Sequence, residues 1–210
     1  MQTEKPNPLS DWAGNIGDQY FERNPVTKDG VLIREAWLHK VLSRMGFAPQ
    51  SVLEIGAGQG DNLVALRKLL PDAQLAATEP NRTARDMLRA IVHGCTVTAD
   101  AAQDLSFVSN ECDLVFTNGC LIHVSPEERH LALNELYRVS KRWILICEYF
   151  AAKDEHVPWR GSHIWKCDFG AEMMKLQPTL TPVACEFEWK HLTGMDHATW
   201  WLFRKNGAAA

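Results

Sequence analysis

The stretch Val52-Leu53-Glu54-Ile55-Gly56-Ala57-Gly58-Gln59-Gly60 limits the fold of this chain more than any other. A short apolar run, Ser51 to Ile55, leads straight into three glycines spaced G-x-G-x-G. Asp61 to Leu70 then carries Leu63, Leu66 and Leu70 on one helical face before Pro71 stops it. Strand, glycine turn and helix in that order open a βαβ unit, in which glycines let the backbone turn tightly and approach a ligand at the helix N-terminus. Leu75 to Thr78 reads as the next strand and ends at Glu79, 19 residues after Gly60. A carboxylate there can accept both hydroxyls of a ribose. The glycines alone would be satisfied by a tight turn without a ligand; the acid at the second strand end favours a nucleoside-containing cofactor.

The rest of the chain continues the alternation. Val31 to Met45 predicts a helix ended by Gly46 and Pro49, Thr83 to Val92 another, and Cys95 to Thr98, Asp113 to Phe116 and Trp143 to Cys147 three further strands. Ser125-Pro126-Glu127-Glu128 has the form of a capping box with proline in the first turn, predicting a helix from there to about Val139. Strands alternating with helices imply a parallel sheet covered on both faces. Val183, Cys185, Phe187 and Trp189 alternate with polar partners as in a half-buried strand, and Ala198 to Phe203 is apolar throughout. A short turn near Gly194 links the two, so they should pair antiparallel.

With 210 residues, 46% hydrophobic and 23% charged, the chain fits one soluble domain. We divide it into an N-terminal helical cap over 1–48, a cofactor-binding half over 49–150, and an acceptor-side segment with the terminal hairpin over 151–206. Met1 to about Ser10 is expected to fray, and DWAGNIGDQYFERN (residues 11–24) is too rich in glycine and polar groups for a core helix. A net charge of -4 demotes nucleic acid as a partner. There is no apolar run of membrane-spanning length and no signal-peptide core, so no membrane partner and a cytoplasmic location are expected. None of the six cysteines forms a C-x-x-C pair, and neither His123/His130 nor His191/His197 has i, i+4 spacing, so no metal is expected.

Glu54 before the glycines and Asp61 after them suit a ligand bearing an ammonium or sulfonium better than a pyrophosphate, which prefers N–H groups and cations. On LEIGAGQG, ATEPN and TADAAQDLSF the chain resembles the class I S-adenosylmethionine-dependent methyltransferases. That resemblance covers about residues 50 to 150. It implies a Rossmann-like, doubly wound α/β sheet of seven strands, mostly parallel with a C-terminal antiparallel hairpin, and S-adenosyl-L-methionine as cofactor with S-adenosyl-L-homocysteine as product. It assigns cofactor contacts to Glu54, Gly56, Ala57, Gly58, Glu79, Pro80, Asp100, Ala101 and Asn118, with Glu79 on the ribose and Asp100 and Ala101 at the adenine. Over nearly the whole chain, DWAGNIGDQYFERN, CDLVFTNGCLIHVSPEE, ILICEYF, Trp159-Arg160-Gly161, IWKCDFG and HATWWLF together resemble the methylases associated with pseudaminic-acid biosynthesis. Their setting implies a small acceptor, such as a sugar acid or amino sugar.

Methyl transfer is an in-line displacement in which the protein aligns the partners and excludes water; an alcohol or ammonium acceptor also needs a base. His123, Glu148 and Tyr149 lie on loops at the C-terminal ends of strands, the ligand edge of such a sheet, and are the candidate catalytic groups. Each has a plainer alternative: His123 as a loop tether, Glu148 and Tyr149 as caps or ion-pair partners. Arg160, His163, Lys166 and Asp168 stand among Trp159, Trp165 and Phe169 either as a lid for an anionic acceptor, the reading preferred here, with Arg160 and Lys166 as the expected contacts, or as a solvated loop with amphipathic anchors. Tyr20, Arg23 and Asn24 are the residues expected to close the pocket from the N-terminal side, although their spacing alone favours plain surface positions. The partner is thus a small molecule, and the protein a monomer or homodimer. Two other functions use the same signals: a nicotinamide-dependent oxidoreductase, whose usual loop is G-x-G-x-x-G, and a non-catalytic module of methyltransferase-like fold.

Overall fold

The computed structural model describes residues 8–160 and 162–206. The expected fraying of residues 1–7 and the Gly161 of the Trp159-Arg160-Gly161 triplet lie outside the described residues. The central sheet follows the β/α rhythm of the sequence. β1 (Ser51–Ile55), α4 (Asp61–Leu69), β2 (Gln74–Thr78), α5 (Arg82–Ile91), β3 (Thr96–Thr98), β4 (Cys112–Asn118), α6 (Arg129–Val139) and β5 (Ser140–Glu148) follow one another. β8 (Thr181–Glu188) and β9 (Ala198–Arg204) complete seven strands in the order β3-β2-β1-β4-β5-β9-β8. The first five are parallel; β9 runs antiparallel to both β5 and β8.

Two apolar layers sandwich the sheet because alternate strand residues face opposite ways. Trp143, Leu145 and Cys147 of β5 pack with Leu63 and Leu66 of α4 and with Trp37, Leu38 and Val41 of α3 (Lys28–Ser43). Ile144 and Ile146 face Leu133 and Leu136 of α6 and Phe169 and Met173 of α7 (Phe169–Leu176). Before α3, the polar N-terminal stretch is helical after all, as α1 (Pro8–Ala13) and α2 (Asn15–Arg23), but lies on the surface as a cap.

Three local expectations are corrected. The capping box does not form: α6 starts at Arg129, and Glu128 makes no side-chain cap bond. Its carboxylate is instead taken by Gln103 Nε2 at 2.9 Å, while Ser125 serves through its carbonyl, which accepts from the N–H groups of Glu128 and Arg129. The Gly194 link contains a short helix, α8 (Lys190–Thr193), with Gly194 left-handed at its C-cap. The alternation in β8 is real, but the strand turns its apolar side outward, leaving Phe187 58% exposed and Glu188 1% exposed. Electrostatics decides this face. Glu188 accepts from Lys40 and, at 2.8 Å, from Trp200 Nε1, and Glu186 pairs with Arg44 at 2.8 Å, so turning the strand over would strand these charges.

A segment with no predicted strands supplies a separate two-stranded ribbon, β6 (Glu155–Trp159) and β7 (Ser162–Lys166), which pair antiparallel beside the cleft.

Candidate active site

The strand order reverses between β1 and β4, and a cleft of about 550 Å³ opens there at the C-terminal ends of the strands. Gly56 and Gly58 hold φ of 70° and 54°, the left-handed region that favours glycine. A Cβ on Gly56 would stand 2.5 Å from the Cys120 sulfur, so the loop also needs glycine for room. The N–H groups of Gly56 and Ala57 donate to the Thr78 carbonyl at 2.9 and 3.0 Å, tying the loop to the end of β2.

Glu79 follows that strand end and is nearly buried. Its Oε2 accepts from the Gly58 N–H and its Oε1 from the Asn81 N–H, both at 2.8 Å. Burial raises its pKa, and those two N–H groups pull the other way. Each oxygen keeps a further lone-pair direction, which two adjacent hydroxyls can use. Glu54, at 1% exposure, accepts from Asn62 Nδ2 at 2.6 Å through Oε1, whereas its Oε2 is buried without a partner. Burial pushes its carboxyl up to about 8. An orphaned buried carboxylate oxygen is costly unless a cation or donor meets it. Among the described residues six acids line the cleft (Glu54, Asp61, Glu79, Asp100, Glu128 and Asp196) against three basic side chains, Arg23, Arg34 and Lys190. Such a lining fits a cationic nucleoside ligand. Asp100 is held by the N–H and hydroxyl of Ser106 at 2.9 and 2.7 Å; burial alone would raise its pKa, and these bonds keep it below the ordinary value.

A second cavity of about 130 Å³ adjoins the cleft. Trp12, Tyr20, Arg34, Asn118, His123 and Asp196 line both. Glu148, Tyr149, Trp159 and Met195 line the smaller one alone. The rings of Trp12, Tyr20 and Trp159 stand 5.2 to 5.9 Å from one another, and Trp12 is 4.1 Å from His123. His123 Nδ1 lies 3.3 Å from the His163 carbonyl on β7. A carbonyl only accepts, so Nδ1 carries the hydrogen and Nε2 keeps its lone pair. Burial pushes the His123 pKa down to about 4, which keeps the ring neutral at physiological pH.

Of the residues expected at the site, Glu54, Gly56, Ala57, Gly58, Glu79, Pro80, Asp100, Ala101, Asn118, Tyr20, Arg23, Asn24 and His123 line the cleft together. Glu148 is spent on the backbone: its oxygens accept from the N–H groups of Cys120, Leu121 and Ile122 at 3.1, 3.1 and 3.3 Å, clamping the 3-10 turn that carries His123. Burial lifts its pKa to about 7. Tyr149 lines the second cavity, its phenol pKa raised by burial. Arg160 and Lys166 line neither cavity. Arg160 occupies the β6–β7 turn at φ 47°, over the Trp159 ring, and Lys166 pairs with Glu155 at 3.5 Å. The ribbon does close the smaller cavity, with Trp159 and Ile164 rather than with its charges. Asp168 caps α7 through Ala171 N at 2.9 Å.

Sequence reasoning missed Trp12, Arg34 and Asp196. Arg34 belongs to a predicted helix, lines both cavities, and donates to the Met195 sulfur at 2.6 Å. Its only sequence signal is a cation among the mostly apolar positions 31–38 of that helix.

Residues 52–142 match the methyltransferase domain family. No curated protein sequence matches the chain. Among solved structures, 1,6-didemethyltoxoflavin-N1-methyltransferase from Burkholderia thailandensis, with its substrate and S-adenosylhomocysteine bound, superposes with a TM-score of 0.70 at 17% identity, covering 98% of this chain and 93% of that one. Magnesium protoporphyrin IX methyltransferase from Synechocystis PCC 6803, with S-adenosylmethionine bound, gives 0.69 at 15% identity, over 97% of this chain and 100% of the other. The PH0226 protein of Pyrococcus horikoshii OT3 gives 0.69 at 13% identity, over 90% and 99%. At these identities the likeness establishes the shared fold.

Proposed function

We propose that this chain, whose residues 52–142 match the methyltransferase domain family, is an S-adenosylmethionine-dependent methyltransferase of a small acceptor. The observation that carries this reading is the convergence of the left-handed glycine loop, buried Glu79 and half-orphaned Glu54 at the point where the strand order reverses. Glu79 takes the ribose hydroxyls, Asp100 and Ala101 border the adenine, and the unpartnered Glu54 oxygen faces the amino-acid end. Arg34 holds that end's carboxylate, since it is a cation shared by both cavities. When bound, the donor supplies an already activated methyl group on a sulfonium.

The chain's own residues align the acceptor and manage its proton. Trp12, Tyr20 and Trp159 wall the smaller cavity and exclude water. A hydroxyl acceptor would have to lose its O–H proton as its oxygen displaced the donor's sulfur from the methyl carbon, and His123 Nε2 is the group placed to take that proton. A ring of low pKa suffices, because a protonated ether is a far stronger acid than any imidazolium.

Within that reading the acceptor is a sugar-type ring, an amino sugar or sugar acid. Aromatic walls for its apolar face, with Asn118, Tyr149 and Asp196 around them, support this, as do the motifs spanning the chain. Among the described residues Arg34 is the one lysine or arginine side chain on that cavity, so the acid form has to share it. Calorimetry with S-adenosylhomocysteine and with reduced nicotinamide dinucleotides tests the donor: tight binding of the first is expected, and binding of only the second makes the protein an oxidoreductase. A mass-spectrometric screen of amino sugars and sugar acids with isotopically labelled methyl donor tests the acceptor. Donor binding without turnover of any compound would favour a non-catalytic module.

A further inference from the structure

Two buried carboxamides join the cofactor cleft to the helical cap. Gln59, in the glycine loop, is 3% exposed; its Nε2 donates to the Phe21 carbonyl at the end of α2, at 2.8 Å, and its Oε1 accepts from the Val26 N–H at 3.2 Å. Asn81, two residues after Glu79, is fully buried. Its Oδ1 caps α5 by accepting from Ala84 N at 2.8 Å. Its Nδ2 points the other way, into the cap, where it meets the Trp12 carbonyl at 3.2 Å, the Gly14 carbonyl at 3.4 Å and the Asp18 carboxylate at 3.0 Å. That last contact holds the Asp18 pKa below the ordinary carboxylate value. The same asparagine donates its backbone N–H to the Glu79 carboxylate.

The cap is otherwise lightly attached. α1 and α2 are short, bury few large side chains and contribute Trp12 and Tyr20 to the walls of both cavities. Gly17 leaves no room for a side chain where α2 meets α1 and Asn81: a Cβ there would stand 2.0 Å from the Trp12 carbonyl, within the cap, and 2.8 Å from Asn81 Nδ2. Neither amide has to touch the reacting atoms to matter.

We infer that Gln59 and Asn81 are positioning residues that couple the donor site to the assembly of the acceptor cavity: a ligand that fixes Glu79 and the glycine loop fixes, through these two amides, the helices that carry Trp12 and Tyr20. Donor binding therefore precedes and completes the acceptor site, giving an ordered sequence of binding. The ordering part rests on the donor reading given above, whereas the clasp itself does not. Segments attached by few contacts open locally at low free energy, so tightening two anchors has a large effect on their opening.

The test is amide hydrogen exchange of residues 8–23 with and without S-adenosylhomocysteine, in three proteins whose binding of that ligand is measured in parallel by calorimetry. In the wild type, the ligand should slow exchange of the cap roughly tenfold or more, as expected for a locally opening unit. Asn81→Asp keeps the α5 cap acceptor but sets an oxygen against three acceptors. It should speed cap exchange about tenfold without ligand, abolish the ligand's effect there, and leave exchange in β1, β4 and β5 unchanged. Gln59→Glu keeps the acceptor for Val26 N–H but sets an oxygen against the Phe21 carbonyl, and should do the same, which decides the matter should Asn81→Asp destabilise the whole domain. Cap exchange in Gln59→Glu equal to the wild type overturns the clasp. Ligand that binds the wild type yet leaves cap exchange unchanged overturns the coupling. Failure of the ligand to bind the wild type overturns the donor reading instead, with the clasp still judged by the ligand-free rates.

Discussion

The two cavities are built by opposite means. The donor cleft takes its deep floor from the ends of β1, β2 and β4, three neighbours in one sheet, and its key groups sit within residues 54–101 and at Asn118. The smaller cavity is assembled from the cap, α3, the loop after β4, the end of β5, the β6–β7 ribbon and the loop before β9. The first is a local consequence of backbone geometry in a sheet whose fold is shared by chains of 13–17% identity. The second is a meeting of distant segments, each free to change without disturbing the sheet. Loops carried on a rigid scaffold are where an enzyme of this architecture sets its specificity.

Substitutions on the two sides should therefore fail differently. The largest effect is expected at His123. On a hydroxyl acceptor, His123→Ala should lower kcat by about 10²–10⁴-fold with S-adenosylhomocysteine affinity unchanged, read by single-turnover kinetics and calorimetry. With a pKa near 4, the ring stays neutral through pH 6–8, so the wild-type rate should not fall there on its account, in contrast to an ordinary histidine titrating near neutrality. Full turnover by the variant on a proven alcohol would move the base elsewhere.

On the donor side, Glu79→Ala removes two charge-assisted ribose bonds and the anchor of Gly58 N. It should cost on the order of 2–4 kcal/mol of S-adenosylhomocysteine binding, seen as a Kd rise in calorimetry. Arg34→Ala, on the seam between the cavities, should weaken that ligand by roughly tenfold while leaving 5′-methylthioadenosine, which lacks the carboxylate, unaffected. Equal losses for both ligands would assign Arg34 to loop packing, and no loss for either would leave it for an acidic acceptor.

A smaller effect concerns pH. The Glu54 carboxyl titrates near 8 in the folded protein and near the ordinary 4.5 when unfolded, so the unfolded chain releases its proton first. Its contribution is fully present below about 4.5 and is lost as pH rises toward 8, lowering the ligand-free melting temperature over that window. Glu54→Gln should flatten that slope, and an unchanged slope would show that Glu54 is not buried as a neutral acid. The smallest effect is expected on the outer ribbon: Arg160→Ala and Lys166→Ala should leave kcat and KM within about twofold, because both side chains lie outside both cavities. A tenfold rise in acceptor KM in either variant would mean that the ribbon rearranges to deliver its charges to the acceptor.

The legible parts of the sequence were those in which one residue type answers to one backbone need. The glycines of 56–60 mark left-handed turns, and the short apolar runs marked β1, β2 and β9 to within one residue at each end and the middles of β4 and β5. β6 and β7 were not legible, because Pro158 breaks the strand pattern and the left-handed φ falls on Arg160, a residue type that seldom adopts it. In β8 the period was legible and the face was not: alternation states that two sides differ, and only Lys40, Arg44 and Trp200, brought from α3 and β9, decide which side turns inward.

The sequence by itself determined the sheet, the glycine loop and the acids that line the cleft beside it, since each follows from local sterics and from spacing along a few consecutive residues. Only the tertiary structure decided that Trp12, Arg34 and Asp196 join His123, that Glu148 serves the backbone, and that Arg160 and Lys166 stand outside. Contacts between residues separated by most of the chain leave no period to read; they arise when the packed layers bring strand ends and loops to one edge of the sheet.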